Sequence, residues 1–316
     1  MLRLPKRRIL LFLGLYVPLC VVALDAAAIL RALVKRLLGR GSLRELLTWR
    51  APVHHAAGLL IVLFWVYAWR VEPHWVKVAR RQVHTAKLVR EPFRIAQISD
   101  VHSEAKAHNE PHLPGIVNPL RPDVIVFTGD ALNTAAGAGR FRDAMAGLEA
   151  RLGKFAVIGN MDIPNWEPFG VFDDTGFEVL EGRTVRVARG DDAVYVTGLT
   201  CGRTESYRAL LSQVPEGCFS ILLYHTPDLA ESLDGLDVDL YLSGHTHGGQ
   251  VALPLLGPVV RQRGWGGKYV RGAYTVGQTT LYVNPGLGME VRAPRVRFGV
   301  RPEVTVFDVV PRERVP

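Results

Sequence analysis

The chain has 316 residues, nearly half of them apolar, with 31 glycines and 20 prolines. That is enough for one sizeable domain plus an appendage, and it excludes an intrinsically disordered chain. The formal charge of +8 is uneven: residues 1–90 hold 16 Lys/Arg against 3 Asp/Glu, and the remainder holds 22 against 27. The larger part is therefore acidic, which argues against a nucleic-acid binder, while the basic part reads as charge flanking apolar segments at anionic lipid. Cys20, Cys201 and Cys218 match neither a metal knuckle nor a disulfide framework.

The run Ile9–Leu30 contains one formal charge, Asp25, and follows Arg3, Lys6, Arg7 and Arg8. It lacks a small-x-small cleavage site, so it predicts a membrane helix rather than a signal peptide. Asp25 is expected near the interface, within reach of Arg31, Lys35 and Arg36. A second run, Ala51–Trp69, is flanked by His54, Trp65, Tyr67 and Trp69, residues of the interfacial type. Two spans (9–30 and 51–69) in a hairpin are expected, with one span plus a re-entrant or surface helix as the alternative. His54 and His55 are adjacent and share no helical face, so they read as headgroup-level residues rather than a metal pair. The basic connector Val71–Glu91 reads as an interfacial helix or an extra strand, and Pro92 ends it. The expected organisation is a membrane anchor over 1–91 and a globular domain over 92–316. Basic residues before the first span and after the second favour a cytoplasmic domain on a bacterial inner membrane, although the loop Arg31–Arg50 is also basic.

From Phe93 the chain breaks into short apolar runs bounded by Gly, Asp and Asn. They are 93–99, 123–129, 154–159, 193–199, 218–224, 238–244, 280–286 and 304–309. Helical stretches are expected at Gly139–Leu152 and Arg203–Gln213. Strands alternating with helices predict an α/β layered fold, with the early, continuously apolar runs buried on both faces.

Polar residues gather just past the ends of these runs. Asp100 and His102 follow the first, Asp130 the second, Asn160 and Asp162 the third, and His225, His245 and His247 the later ones. The mouth formed by strand ends is where open α/β sheets carry their sites. Oxygen and imidazole donors without thiolate suit Mn²⁺, Fe or Zn²⁺. Seven candidates (Asp100, His102, Asp130, Asn160, His225, His245 and His247) exceed one tetrahedral site, and Asp130 can bridge two ions about 3.5–4 Å apart. Any one of these residues alone reads equally well as a cap or a satisfied core group. Their repetition after five strands is what points to a site.

The segments DVH (100–102), GD (129–130), GNMD (159–162), YHTPD around His225 and GHTHGGQ (244–250) resemble the calcineurin-like metallophosphoesterases. The resemblance runs from Phe93 to the end. It extends to the family's membrane-associated, YkuE-like branch through GHTHGGQVALPLLG and the tail from NPGLG to VTVF. It implies a four-layer sandwich, with two mixed β-sheets flanked by helices. It further implies two divalent ions, Mn first with Fe or Zn as alternatives. One ion would be held by Asp100, His102 and His247, the other by Asn160, His225 and His245, with Asp130 shared. The implied activity is hydrolysis of a phosphodiester or pyrophosphate bond, with Asp130, Asn160 and His247 as the catalytic set. Arg297 and the RPE at 301–303 match branch markers and are read as structural.

One position departs from the family pattern. Met161 stands where the family usually has a histidine that assists the leaving group, and a thioether donates no proton. Three outcomes follow: the leaving group is already good, His108 or His112, in the loop after DVH, substitutes, or the enzyme is slower or narrowly selective. The lipid A pathway pyrophosphatases of this superfamily also lack that histidine, which makes a nucleotide-sugar lipid a candidate substrate. Met161, His108, His112 and Arg203 are the substrate-side candidates. Asn109 and Asn133 are loop amides able to contact phosphate, and Asp162 reads as orienting a neighbour. The loop RQRGWGGKYVRG (261–272) reads as a surface loop near the membrane or a substrate lip. Expected partners are the bilayer and a phosphorylated, lipid-linked substrate, with no nucleic acid and no obligate protein. The alternatives are a general phosphodiesterase or phosphomonoesterase on soluble substrates, and a non-catalytic metal-bound membrane scaffold.

Overall fold

The computed structural model describes residues 22–23, 26–40, 51–163, 170–259, 267–290 and 295–312. Most of the first expected span, 9–30, lies outside these, as do residues 261–266 of the glycine-rich loop. The chain divides into two compact units, Met1–Val71 and Glu72–Pro316.

In the first unit, helix α1 (Ala51–Val66) continues through a π-helical turn, Tyr67–Val71. Between Ala51 and Trp69 the sequence has no Asp, Glu, Lys or Arg, so nothing in it defines a polar stripe. Leu59, Leu60, Leu63, Phe64 and Val66 are all exposed. An apolar helix without a polar face suits hydrocarbon better than water. Residues His55–His74 form, among the described residues, the one helical stretch long and apolar enough to cross a bilayer. Arg70 lies over the Trp69 ring at the end of this run, as interfacial residues do.

The second unit is a sandwich of two mixed sheets flanked by helices. The first sheet has the order β1 (Lys77–Thr85), β14 (Glu303–Pro311), β2 (Phe93–Ile98), β3 (Val124–Phe127), β4 (Gly153–Ala156) and β5 (Glu178–Val179). The second has the order β12 (Gly272–Val276), β13 (Thr279–Val283), β9 (Leu240–Ser243), β8 (Phe219–Tyr224), β7 (Asp192–Leu199) and β6 (Arg183–Arg189). A small hairpin, β10 (Ala252–Leu253) and β11 (Gly257–Pro258), stands apart from both. Strands β2 to β5 are parallel, as are β7, β8, β9 and β13.

Side chains alternate across each strand, so one strand feeds two cores. Ile95 and Val126 of the first sheet pack with Ile221, Leu223 and Leu242 of the second. The neighbouring Ala96, Ile98 and Phe127 point the other way, against α2 (Leu113–Val117) and α3 (Ala138–Ala146). On the far side Leu222 and Tyr241 pack with Leu210 and Leu211 of α4 (Tyr207–Leu211). Both faces of each sheet are covered, and this is why the strand sequences read as continuous apolar runs.

The sequence placed the start of the domain at Pro92, whereas the compact unit starts at Glu72. Of the two readings for the connector, the extra strand is the one observed. Strand β1 pairs in parallel with β14 from Lys77↔Glu303 to Thr85↔Pro311. Its Arg and Lys residues, which resembled juxtamembrane charge, lie on an edge strand, where charge blocks further pairing. The register has a second consequence. β14 runs antiparallel to β2, with Thr305 opposite Gln97. The amino end of β1, where the chain arrives from Glu72–His74, therefore lies at the same edge of the sheet as the carboxyl ends of β2, β3 and β4.

Candidate metal centre

At that edge the seven singled-out residues converge. Two sets of ligand-type atoms form, Asp100 with His102 and His247, and Asp130 with His225 and His245, each within 4.8 Å of one another. Asn160 joins the second set, its Oδ1 lying 3.0 Å from His225 Nε2. Asp130 reaches both sets: its Oδ2 lies 3.6 Å from His102 Nε2 and 3.3 Å from His225 Nε2.

The backbone is bent to bring this about. Asp100, His102, Asp130, His245 and His247 all adopt positive φ, between 48° and 70°. For non-glycine residues this costs on the order of 1–3 kcal/mol each and persists only where the surroundings enforce it. The surroundings do so here. Gly129 O accepts from Asp100 N–H (2.9 Å) and Asp130 O from His102 N–H (3.1 Å). Asp162, buried and carrying no ligand role, accepts from the N–H groups of Asp130, Ala131 and Gly159 at 2.8–2.9 Å and clamps the bend after β3. Glycine is required beside both carboxylates. A Cβ on Gly159 would lie 2.2 Å from Asp130 Oδ1, and one on Gly244 2.1 Å from Asp100 Oδ2.

Hydrogen bonds behind the rings set the tautomers. Nδ1 of His225 donates to Thr128 O (2.7 Å) and Nδ1 of His102 to Asn133 Oδ1 (2.8 Å). Each ring thereby turns Nε2 inward, the arrangement second-shell acceptors impose on metal-ligating histidines. The His102 and His247 Nε2 atoms are 3.0 Å apart, and Asn160 Oδ1, Asp130 Oδ2 and His225 Nε2 crowd together similarly. Acceptors converging in a buried volume need a positive charge between them. The donor set therefore fits divalent ions that take nitrogen and oxygen ligands.

The protein groups alone show the same demand in their protonation. Burial pushes Asp100 up to about 7, with the Asp130 charge adding to the rise and His225 opposing it. Burial would also raise Asp130, but His225, by charge and hydrogen bond, holds it well below the usual carboxylate range. Burial would lower His225, yet Asp130 keeps it well above its ordinary value. His102 and His247 are lowered, chiefly by burial. The upward shifts of His225 and Asp100 reflect buried groups that, without a cation, favour holding a proton.

The substrate-side candidates are placed less uniformly. Met161 sits beside Asp130, its N–H donating to Asp130 Oδ1 (2.9 Å). His108 is stacked on His74 (ring centroids 4.3 Å apart), and burial pushes it down to about 3. It is therefore neutral at physiological pH and belongs to neither ligand set. His112 is exposed at the end of the turn Glu110–His112. Arg203 lies 3.8 Å from Glu181 in an exposed ion pair. Asn109 holds Pro73 O and Leu287 O, a structural task. Asn133, a loop amide able from sequence to contact phosphate, orients His102 and is itself fixed by Glu104 and Met289 O. Arg297 is fully buried and donates to the carbonyls of Pro285, Gly286, Gly288 and Val300, so the loop after β13 is built around it.

This fold and this pair of ligand clusters define a metal-dependent hydrolase class, and the sequence comparisons agree. The Calcineurin-like phosphoesterase family matches residues 93–249, and the chain belongs to that family. Among individual relatives, the uncharacterized metallophosphoesterase YkuE of Bacillus subtilis is 34% identical over 262 residues, covering 76% of this chain and 88% of that protein. Phosphodiesterase YaeI of Escherichia coli is 29% identical, covering 76% of this chain and 90% of its own. UDP-2,3-diacylglucosamine pyrophosphatase LpxG of Chlamydia muridarum is 25% identical, covering 78% and 93%.

Proposed function

We propose that this chain hydrolyses a phosphodiester or pyrophosphate bond in a lipid-linked substrate at the membrane surface. The observation that carries the reading is the position of Asp130 Oδ2, within 3.6 Å of an imidazole of each set. Asp100, His102 and His247 would hold one divalent ion and Asn160, His225 and His245 the other, with Asp130 shared and Mn²⁺ preferred over Fe or Zn²⁺. Two such ions supply a water ionised near neutral pH and a clamp on the attacking and leaving oxygens. The chain's own residues supply the rest. Asp130 fixes the spacing of the two sets, Thr128 O and Asn133 aim the imidazoles, and Asp162 keeps Asp130 from swinging away. Met161 offers no proton to the departing group, which favours a leaving group that is already stable as an anion, such as a nucleotide phosphate.

The lipid-linked part rests on two supports. The chain reaches the site's edge of the first sheet directly from an apolar helix, and a relative of similar length, LpxG, is named for a diacylated nucleotide sugar. Arg70, which closes the helical run, favours a cytoplasmic site. Protease added to intact cells should then leave the Glu72–Pro316 unit uncut, and cutting in intact cells would place it outside.

The test is a substrate panel on the full chain in detergent with Mn²⁺, comparing aryl phosphodiesters, cyclic nucleotides and UDP-diacylglucosamine. Preferential turnover of the last is expected. Equal or better turnover of the soluble substrates would overturn the lipid reading, and no turnover with metal bound would favour a scaffold. Restoring a proton donor should show in the same assay. Met161→His should raise turnover of alkyl esters, whose leaving groups are poor, by about 10²-fold, the lower range for a positioned general acid. Aryl esters should barely respond, and equal gains on both classes would count against the leaving-group account.

The protonation of Asp100 gives a pH prediction. Its value in the folded protein, about 7, lies above the ordinary 3.8. Without an ion, the contribution of Asp100 to folding stability therefore falls as pH rises from about 4 to about 7. An ion must displace that proton, so apparent affinity should drop about tenfold per pH unit below 7 for each proton released. Mn²⁺ should raise the melting temperature more at pH 8 than at pH 6. An equal rise at both would show that no buried proton is exchanged.

A further inference from the structure

The hairpin β10–β11 begins five residues after His247, at the end of the GHTHGGQ loop. Its tip, Leu253-Pro254-Leu255-Leu256, is apolar and turned outward: Leu255 is fully exposed and Leu256 is 76% exposed. Leu255 has φ 65°, and Leu256 N–H donates back to Pro254 O (2.8 Å), closing a tight three-residue turn around it. Asn or Gly would take that conformation at lower cost. The fold instead holds a leucine there, pointing into solvent.

Two features say what covers it. The first is continuity with the end of the unit at which the chain enters from the apolar helix. Ala252 N–H donates to Phe298 O (2.7 Å), and two residues on, Val300 N–H donates to Glu72 Oε1 (2.6 Å). Arg301 then donates through Nε to Trp75 O (2.9 Å) and stacks on the Trp75 ring at 3.8 Å. The short segment Phe298–Arg301 thus ties the leucine hairpin to Glu72 and Trp75, where the apolar helix ends. The second feature is charge. Arg271, exposed, is anchored to Gly299 O (2.5 Å), and Arg301 lies two residues further along the same strip. An apolar tip beside two arginines and a half-exposed tryptophan has the composition of an element lying at a bilayer interface with anionic headgroups.

We propose that the β10–β11 hairpin is a second membrane contact, in which Leu253, Leu255 and Leu256 enter the headgroup–acyl boundary while Arg271 and Arg301 face anionic lipid phosphates. Together with the helix it would hold the metal centre against the bilayer, so that a lipid-linked phosphate reaches the site without leaving the membrane. This rests on the reading of the chain as membrane-held.

The test is spin labelling of the full chain in nanodiscs containing phosphatidylglycerol. Leu255→Cys is labelled in a background carrying Cys20→Ala, Cys201→Ala and Cys218→Ala. A control label goes on Asp191→Cys, in the β6–β7 turn at the opposite edge of the sheets. The Leu255 label should relax more with oxygen than with an aqueous nickel chelate, and the Asp191 label the reverse. A chain that incorporates into discs but shows the aqueous pattern at both positions overturns the hairpin contact and leaves the anchor intact. Dipolar broadening between Leu255 labels would show a second copy on the surface and also overturns it. Failure to incorporate at all overturns the membrane reading itself.

Discussion

Asp130→Asn is expected to lower metal-dependent turnover by about 10³-fold or more, since it removes the negative charge shared by both ligand sets and with it several kcal/mol of electrostatic stabilisation. The fold should survive. The amide keeps an oxygen for the Met161 N–H, now met by Asp130 Oδ1 at 2.9 Å, and the Asp162 clamp binds the backbone rather than the side chain. Thermal unfolding should shift by no more than about 2 kcal/mol, the range for an isosteric change with its hydrogen bond retained. Substituting Asp162 probes the other half of this arrangement. Asp162→Ala leaves three N–H groups of the bend unpaired and should lower turnover through misplacement of Asp130, with metal affinity falling alongside it.

The largest stability effect is expected at Arg297. Its guanidinium is fully buried, pushed down to about 10 by burial, and spent on four backbone carbonyls of the loop after β13 and its continuation. That loop lies on Asp100: a Cβ at Gly286 would come within 2.6 Å of the Asp100 Cβ, and Gly288 N–H donates to Asp100 O (2.7 Å). Arg297→Met would leave those carbonyls buried without donors, at about 1–3 kcal/mol for each that water cannot reach, so a loss of roughly 3–5 kcal/mol is expected. Arg297→Lys should recover only part of this, because an ammonium cannot reproduce the planar fork. Denaturation of the detergent-solubilised chain measures both. A change below about 1 kcal/mol for Arg297→Met would mean that water replaces the guanidinium and that the loop does not depend on it.

The central strands were legible because both of their faces are buried. FRIAQI and VIVF carry no alternation to misread, and the polar residues that follow them stand where strand ends converge. The ligand candidates were legible for the same reason, since topology alone brings the ends of β2, β3, β4, β8 and β9 to one edge. What escaped were the edge strands. β6 reads Arg183-Thr-Val-Arg-Val-Ala-Arg189, half solvent-facing, and its arginines hid its alternation. β1 was legible only as one of two readings of the connector: its Arg80 and Arg81 looked like headgroup charge next to an apolar helix, and the pairing with β14 shows them to be edge residues. Roles carried by backbone contacts were also hidden. Nothing in the sequence distinguishes Asn133 as the partner of His102 from an amide that binds phosphate. Nor did it show that His108, two residues before a buried glutamate, would stack on His74 instead of approaching the site. The glycines before Asn160 and His245 follow the family pattern, but only the packing of Gly159 and Gly244 against the Asp130 and Asp100 carboxylates explains why no side chain fits.

Two ligand sets that share Asp130 should bind two ions coupled to one another. Electron paramagnetic resonance of the full chain titrated with Mn²⁺ tests this without any substrate. Two ions per chain with a spin-coupled signal are predicted, and the coupling should weaken in Asp130→Asn. Saturation at one ion, or two ions giving only uncoupled signals, would contradict it.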